Sequence, residues 1–327
     1  MKNKILGIGN ALVDVIIPID NENFITQLGL KKGGMKMIDQ ETKRNIHTML
    51  KDYAKTIATG GSTANTIHGI ARLGTTAGYI GKISDDEFGH FFRQDMLDSH
   101  IIPHLIISKD TDTGIATTLM TQEGERTFAT CLGAAATMLP ADIIPSLFDT
   151  YSHVHVEGYL VFNHDLILHV CQLAKTRGLT ISMDMASYNV VEANLDFMQY
   201  LLKNYVDIIF ANEEEAKAFT GKEEYEALSL LSNDCATSIV KLGARGSIVK
   251  HGNSITDIPA VSAHAIDTNG AGDIYASGFL FGLMNNMPID RCGYIASLLS
   301  AKLVETTGAK LSENQWKQVL TKLSNEQ

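Results

Sequence analysis

The chain has 327 residues, 45% of them hydrophobic and 20% charged, with a formal net charge of −10. This is the composition of an ordinary globular protein with a sizeable core, one large α/β domain or two modest ones, and it excludes extensive disorder. The acidic balance speaks against a nucleic-acid partner, which asks for a basic face, but not against a nucleotide, whose phosphates need only a local nest of N–H groups and a metal ion.

Residues 4–19 form a nearly continuous apolar, β-branched run with Asp14 in its middle, which predicts one strand of a buried parallel sheet carrying a polar group toward its end. A polar helix is expected over 41–54. Thr59-Gly60-Gly61-Ser62-Thr63-Ala64-Asn65 reads as a glycine turn leading into a helix through Leu73, followed by a short strand from Ala77 to Ile83 and a helix from Phe88 to His100. The texture then changes. Leu105 to Lys109, Ala116 to Met120 and Thr127 to Cys131 are short β segments without intervening helices, with a hairpin-type turn at Gln122-Glu123-Gly124-Glu125. They predict a small antiparallel piece apart from the main sheet. From 151 onward β and α segments alternate. Strands are expected at Val154–Val156, Thr180–Asp184, Ile208–Phe210, Thr237–Leu242 and Gly246–Lys250, with helices over 164–177, 191–203 and 213–219 and two long apolar helices over 271–284 and 291–305. Such alternation implies a mostly parallel sheet covered by helices on both faces.

The strongest local signal is Asp267-Thr268-Asn269-Gly270-Ala271-Gly272-Asp273, which opens the first of those apolar helices. Bare backbone N–H groups at such a start point outward, and the helix dipole adds about half a positive charge. Gly270, Ala271 and Gly272 therefore make an anion hole for a transferring phosphoryl group. Asp273 stands beside it in the first turn, where a carboxylate can take the proton from an attacking hydroxyl. On this segment alone a glycine turn with an acid favouring the helix start remains an alternative.

Taken with other segments in order, it resembles the second signature of the ribokinase-like (PfkB) carbohydrate kinases. Gly60-Gly61-Ser62-Thr63-Ala64-Asn65 continuing through Ala71-Arg72-Leu73-Gly74 resembles the first signature, and Gly81-Lys82-Ile83-Ser84-Asp85-Asp86-Glu87-Phe88-Gly89 the motif after it. Asn212-Glu213-Glu214-Glu215 is similar to the family's NxxE pattern, and Lys241-Leu242-Gly243-Ala244-Arg245-Gly246 to its LGxxG turn. The resemblance covers essentially the whole chain. It implies a three-layer α/β/α fold with a central, mostly parallel sheet as a single kinase domain over 1–327, its small β-sheet lid formed by about 16–40 and 105–131.

The same resemblance implies roles. Asp273 is the general base, and Gly270–Gly272 the anion hole. Asp14 holds substrate hydroxyls, with Gly61 and Asn65 on the same substrate; an acid in an apolar strand is in any case costly without partners. Lys241, Gly243, Gly246, Asn212 and Thr268 line the ATP side, and Asn212 and Glu215 organise Mg²⁺ through water, an ion that keeps several of its waters. Asp267 and Thr268 border a monovalent-cation site, K⁺ in some relatives, with Thr307-Gly308-Ala309 as the closing loop. Arg126 in Gly124-Glu125-Arg126-Thr127-Phe128 is a phosphate or closure contact, with an ordinary surface arginine as the alternative. Glu157 is expected to face the cleft.

The substrate follows from departures. Ribokinase-type and phosphosugar-type relatives carry a lysine just after the paired glycines, and this chain has Ser62 and Thr63. A second anionic group on the substrate would want a cation there, so a phosphorylated sugar is disfavoured and free ribose less favoured. Gly33-Gly34-Met35-Lys36-Met37-Ile38-Asp39 resembles the lid segment of adenosine-kinase-like bacterial members, and Met35, Met37 and Phe128 can form an adaptable apolar wall for a purine. Ordinary lid packing is the alternative for these three. The expected function is ATP-dependent phosphorylation of a hydroxyl, primary by preference, on a nucleoside such as adenosine or on an unphosphorylated sugar. The alternatives are a ribose or other sugar kinase and, in a different class, a non-catalytic nucleoside-binding sensor on the same scaffold.

Other patterns fail. There is no GxxxxGK[ST], no third glycine after Gly7-Ile8-Gly9 to complete a dinucleotide fingerprint, and no HExxH among 11 histidines. Cys131, Cys171, Cys235 and Cys292 are widely spaced and read as free thiols of a reducing, cytoplasmic compartment. No apolar stretch of about 20 residues lacks polar breaks, so no membrane partner is expected, and the assembly is expected to be a monomer or a homodimer.

Overall fold

A computed structural model describes residues 3–123 and 125–326. The chain runs β1 (Lys4–Ile8), β2 (Leu12–Pro18), α1 (Asn23–Gln27), β3 (Met35–Met37), α2 (Gln40–Met49), β4 (Thr56–Gly60), α3 (Ser62–Arg72), β5 (Thr76–Ser84), α4 (Glu87–Asp98), β6 (Ile102–Ser108), β7 (Gly114–Met120) and β8 (Arg126–Cys131). It continues through β9 (His153–Val156), α5 (His164–Thr176), β10 (Thr180–Asp184), α6 (Tyr188–Ala193), α7 (Leu195–Asn204), β11 (Ile208–Asn212), α8 (Glu213–Thr220), α9 (Glu224–Leu231), β12 (Thr237–Lys241), β13 (Ser247–His251) and β14 (Ser254–Ile258). Three helices close it: α10 (Ala271–Met284), α11 (Ile289–Val304) and α12 (Glu313–Asn325).

The large sheet has nine strands in the order β14-β13-β12-β11-β10-β9-β1-β5-β6. Pairing is parallel from β12 through β6, and β13 and β14 add an antiparallel edge. Alternate residues of its strands feed two cores. Ile209 and Ala211 pack under α5 to α9, while Ile208 and Phe210 pack toward α3, α4, α10 and α11. Both faces are thus covered, which is why the strands read as continuous apolar runs. Among the described residues no helix is long and apolar enough to cross a membrane, and all four cysteines are buried and unpaired.

A second sheet of five strands, β3-β8-β7-β2-β4, stands apart. Here the sequence expectations need correction. Residues 4–19 are two strands: β1 belongs to the large sheet and β2, with Asp14, to the small one. Glycine at position 9 and buried Asn10 break the run, and the exposure pattern switches to strict alternation, with Val13, Val15 and Ile17 buried. The segment at Leu105 is β6, which pairs with β5 on the edge of the large sheet instead of joining the small one. The small sheet is mixed, because β2–β7 and β3–β8 are parallel while β2–β4 and β7–β8 are antiparallel. It also contains β4, read from sequence as part of a glycine turn. The expected turn at 122–125 includes Gly124, which lies outside the described residues.

Candidate active site

The large sheet reverses its winding direction between β1 and β9, and in open α/β sheets ligands gather beyond the carboxyl ends of the strands at such a switch point. Here those ends carry polar groups in an otherwise apolar layer. Asn10 follows β1 and Glu157 follows β9; Asp184, Asn212 and Lys241 are the last residues of β10, β11 and β12. Each costs desolvation energy, so each needs a partner or a ligand.

Two helices aim their starts at the same place. Gly61 precedes α3 with φ 97° and Gly270 precedes α10 with φ 75°, conformations that favour glycine. Neither helix is capped by the side chain before it. In the first turn of α3 the Thr63 N–H goes to Glu157, and in that of α10 the Ala271 N–H goes to the Thr268 carbonyl, which leaves the Gly272 N–H for another acceptor. By contrast, α2, α4, α8 and α12 are capped by Asp39, Asp86, Asn212 and Ser312. Gly61 lies against the Asn10 carbonyl, where a Cβ would collide. A Cβ on Gly270 would stand 2.9 Å from Cα of Ala309, so the loop at Thr307-Gly308-Ala309 does pack on the turn that opens α10.

Asp273 sits in the first turn of α10. Its Oδ1 accepts from the Ser62 hydroxyl at 2.7 Å and its Oδ2 from Asn65 Nδ2 at 2.9 Å. Burial pushes its pKa up to about 6, against those two hydrogen bonds, and Asp184 nearby pushes in the same direction as burial. Lys241 reaches the turn from the other side. Its Nζ lies 3.0 Å from where a Cβ on Gly272 would be and donates to Asp184 at 2.9 Å. Burial works against the Lys241 ammonium, but Asp184 and Glu215 overcome it and raise its pKa. Lys241 in turn holds the Asp184 carboxyl below the usual range despite burial.

Glu215 forms a reciprocal capping box with Asn212, accepting from the Asn212 backbone N–H at 2.8 Å and from Nδ2 at 2.7 Å. Burial, with Asp184 adding to it, pushes its pKa up to about 7. Asp184, Glu215 and Asp273 thus crowd three carboxylates around the single ammonium of Lys241. That charge set fits a hydrated divalent cation and a polyphosphate better than it fits either alone. Among the described residues no cluster of three or more His, Cys, Asp or Glu could hold a metal ion.

On the small sheet, Asp14 lies against Gly60, and burial pushes its pKa up to about 6 against the pull of Lys310 and Arg126. Arg126 pairs with Asp267 at 2.8 Å. The Asp267 carboxylate also accepts from Asn269 N–H at 3.1 Å and Gly308 N–H at 2.7 Å. Arg126, Asn269 and Gly308 thus converge on one carboxylate. Met35 and Met37 are half-exposed, at 54% and 50%, on the outer strand β3. Register puts Met35, Phe128, Thr118 and Ile16 in one row and Met37, Thr130, Ala116 and Asp14 in the next, all on one face. Gly243 faces open space and Thr268 is exposed, so neither is drawn into the bonded network.

Glu157 differs from expectation. It does not face the cleft but is buried beneath the α3 start, accepting from Asn10 Nδ2 at 2.6 Å and from Thr63 N–H at 3.3 Å. Burial pushes its pKa up to about 7. Asp184 and Lys310 were missed altogether, Ser62 was read only as the absence of a lysine, and Asn10 was given no role at the site. Asp184 had a signal: like Asn212 and Lys241, it is a polar residue ending an apolar strand.

A doubly covered sheet with a small second sheet beside it, and a buried carboxylate at an uncapped glycine helix start, defines a phosphotransferase of ribokinase-like fold. The chain belongs to the pfkB family of carbohydrate kinases, whose profile matches residues 34–316. It is similar to the adenosine kinase of Sinorhizobium meliloti, with 29% identity and a TM-score of 0.87 over 98% of this chain and 100% of that one. It is also similar to a probable sugar kinase from Rhizobium etli, with 26% identity and a TM-score of 0.88 over 98% of each chain. The ribokinase of Lactococcus lactis is 30% identical over 270 residues, 80% of this chain and 86% of that protein.

Proposed function

We propose that the protein transfers the γ-phosphoryl group of ATP to the primary hydroxyl of a nucleoside, adenosine by preference, with Asp273 as the general base. One observation carries the nucleoside reading. Met35 and Met37, half-exposed, share a face of the small sheet with Phe128 and Asp14. Methionines filling the lid core would be buried, as Val13 and Val15 are on the opposite face. Flexible thioethers beside an aromatic ring, one row away from a carboxylate, suit a flat apolar base joined to a diol. The similarity to the Sinorhizobium meliloti adenosine kinase supports the same choice.

In this reading Asp14, Gly61 and Asn65 bind the sugar. ATP lies along Asn212, Lys241, Gly243, Gly246 and Thr268. The acceptor hydroxyl reaches Asp273, which takes its proton as the new O–P bond forms and the bond to the ADP oxygen breaks. The N–H groups of Gly270 and Gly272 and the Lys241 ammonium hold the charge on the transferring group. Asn212 and Glu215, with Asp184 beside them, would hold Mg²⁺ through water, and that ion would supply further neutralisation of the phosphate oxygens. Arg126 brings the small sheet down onto the Asp267 turn and excludes water. Because Arg126 neutralises Asp267, we assign no K⁺ to that carboxylate.

The test is ADP release with ATP-Mg²⁺ across nucleosides and free sugars. Release with adenosine supports the reading. Release with free sugars alone keeps the phosphotransfer and overturns the role given to Met35, Met37 and Phe128.

A further inference from the structure

We propose that Ser62 is a positioning residue for phosphoryl transfer: its hydroxyl, delivered across the seam between α3 and α10, fixes the orientation of the Asp273 carboxylate. The inference rests on the reading of Asp273 as the base.

The seam is built by spacing. Ser62, Asn65, Thr66 and Gly69 fall at i, i+3, i+4 and i+7 and so lie on one stripe of α3. Asp273 and Ser277, four apart, face them from α10. Gly69 lets the helices touch: a Cβ there would stand 2.7 Å from Ser277 Cβ and 2.7 Å from Ile274 Cδ1. Hydroxyls then stitch the two backbones. Thr66 Oγ1 donates to the Asp273 carbonyl at 3.2 Å, and Ser277 Oγ donates to the Thr66 carbonyl at 2.8 Å. These bonds fix where the Asp273 main chain sits. They leave its side chain to Ser62 and Asn65.

The two side-chain donors are not equivalent. Asn65 also faces the proposed sugar site, and its Oδ1 is buried without a protein partner, ready for a ligand hydroxyl. The Ser62 hydroxyl has one recorded partner, Asp273 Oδ1 at 2.7 Å. Its position at the first residue of α3 is set by the Gly61 turn before it, which packs on the Asn10 carbonyl. With one lone pair of each carboxylate oxygen engaged, the remaining lone pairs have a defined direction, and an in-line reaction needs that direction fixed.

The hydrogen bond also favours the ionised base. The charged and titratable groups around Asp273 are Lys241 from β12, Asp184 from β10, and Glu157 and Tyr159 just after β9. Lys241 is the one cation of these four, so it and the neutral donors Ser62 and Asn65 are what oppose burial. Removing one donor raises the carboxyl pKa, and the acidic limb of the rate profile moves to higher pH.

The experiment is kcat and KM against pH for Ser62→Ala and Ser62→Thr in the full chain, with Asp273→Asn alongside and melting curves for each. Ser62→Ala is expected to lower kcat with little change in acceptor KM. Its acidic limb should move up by about one pH unit, the size of one hydrogen bond to a charged group. Ser62→Thr, which keeps the hydroxyl, should restore the limb. If the alanine variant melts early, Ser62→Cys, with a weaker donor, should give a smaller move in the same direction. A uniform loss at all pH values with the limb unmoved would overturn the proposal and leave Asp273 in place. Full activity of Asp273→Asn would instead remove the base assignment on which it rests.

Discussion

The guanidinium of Arg126 on β8 meets the carboxylate of Asp267 at 2.8 Å, and each side chain is only 11% exposed. The pair ties the small sheet to the turn that opens α10, and it does so where a second interaction follows the same line: Lys310, just past the Gly308 loop, donates to Asp95 on α4 at 2.6 Å and to Thr59 on β4. A buried pair broken on one side leaves the other charge uncompensated, at a cost of ~3–5 kcal/mol. Arg126→Ala should therefore lower both melting temperature and kcat/KM, and Arg126→Lys should rescue little, since the shorter, more strongly hydrated ammonium is a poor replacement for a buried guanidinium.

The wild-type protein should turn over equally in KCl and in tetramethylammonium chloride at one ionic strength. In Arg126→Ala, K⁺ should raise the melting temperature above the value in the organic salt, because the freed Asp267 oxygens then lack a cation. A clear K⁺ requirement in the wild type would contradict the role given to Arg126.

Lys241 and Asp184 are a second buried pair, with side chains 15% and 9% exposed. Lys241→Met should raise the KM for ATP more than that for the acceptor. It should also destabilise by ~3–5 kcal/mol by leaving Asp184 and Glu215 uncompensated. Asp184→Asn added to Lys241→Met should recover part of that loss in a double-mutant cycle, and additive losses would show that the two side chains do not act together.

Glu157 sets a pH dependence whose sign is fixed by burial. Its folded pKa, about 7, lies above the ordinary 4.5. The folded state therefore holds its proton more tightly than the unfolded state, and its favourable contribution is lost as pH rises through 7. Glu157→Gln, with Asn10 turned over to accept, removes that titration. The variant should gain on the wild type by on the order of 3 kcal/mol between about pH 4 and pH 8, as measured by denaturant unfolding. A gap that does not change with pH would mean that Glu157 is not titrating in the folded protein.

Much of this site could be read from the chain before any geometry was known. The glycine turns at Gly61 and Gly270, Asp273, the NxxE box and Lys241 are contiguous motifs whose chemistry is local, and the β-α alternation after 151 produced the expected strands. What was hidden depends on partners distant in sequence. Nothing near Asp14 says that the chain changes sheets at Asn10, because both strands are apolar and β-branched. Nothing near Arg126 names Asp267, 141 positions later, as its partner. Glu157 could be seen to end a strand, but not to point inward under Thr63, because that direction is set by how α3 lies over β1.

The central claim is tested most directly by ADP release from ATP-Mg²⁺ with adenosine, comparing the wild type with Asp273→Asn. Replacing a general base typically costs at least ~10²-fold in turnover. The expected result is a wild type that phosphorylates adenosine and a variant that melts no earlier yet loses at least that factor. A variant with turnover near the wild-type value would show that Asp273 does not take the proton, and the mechanism built on it would fall.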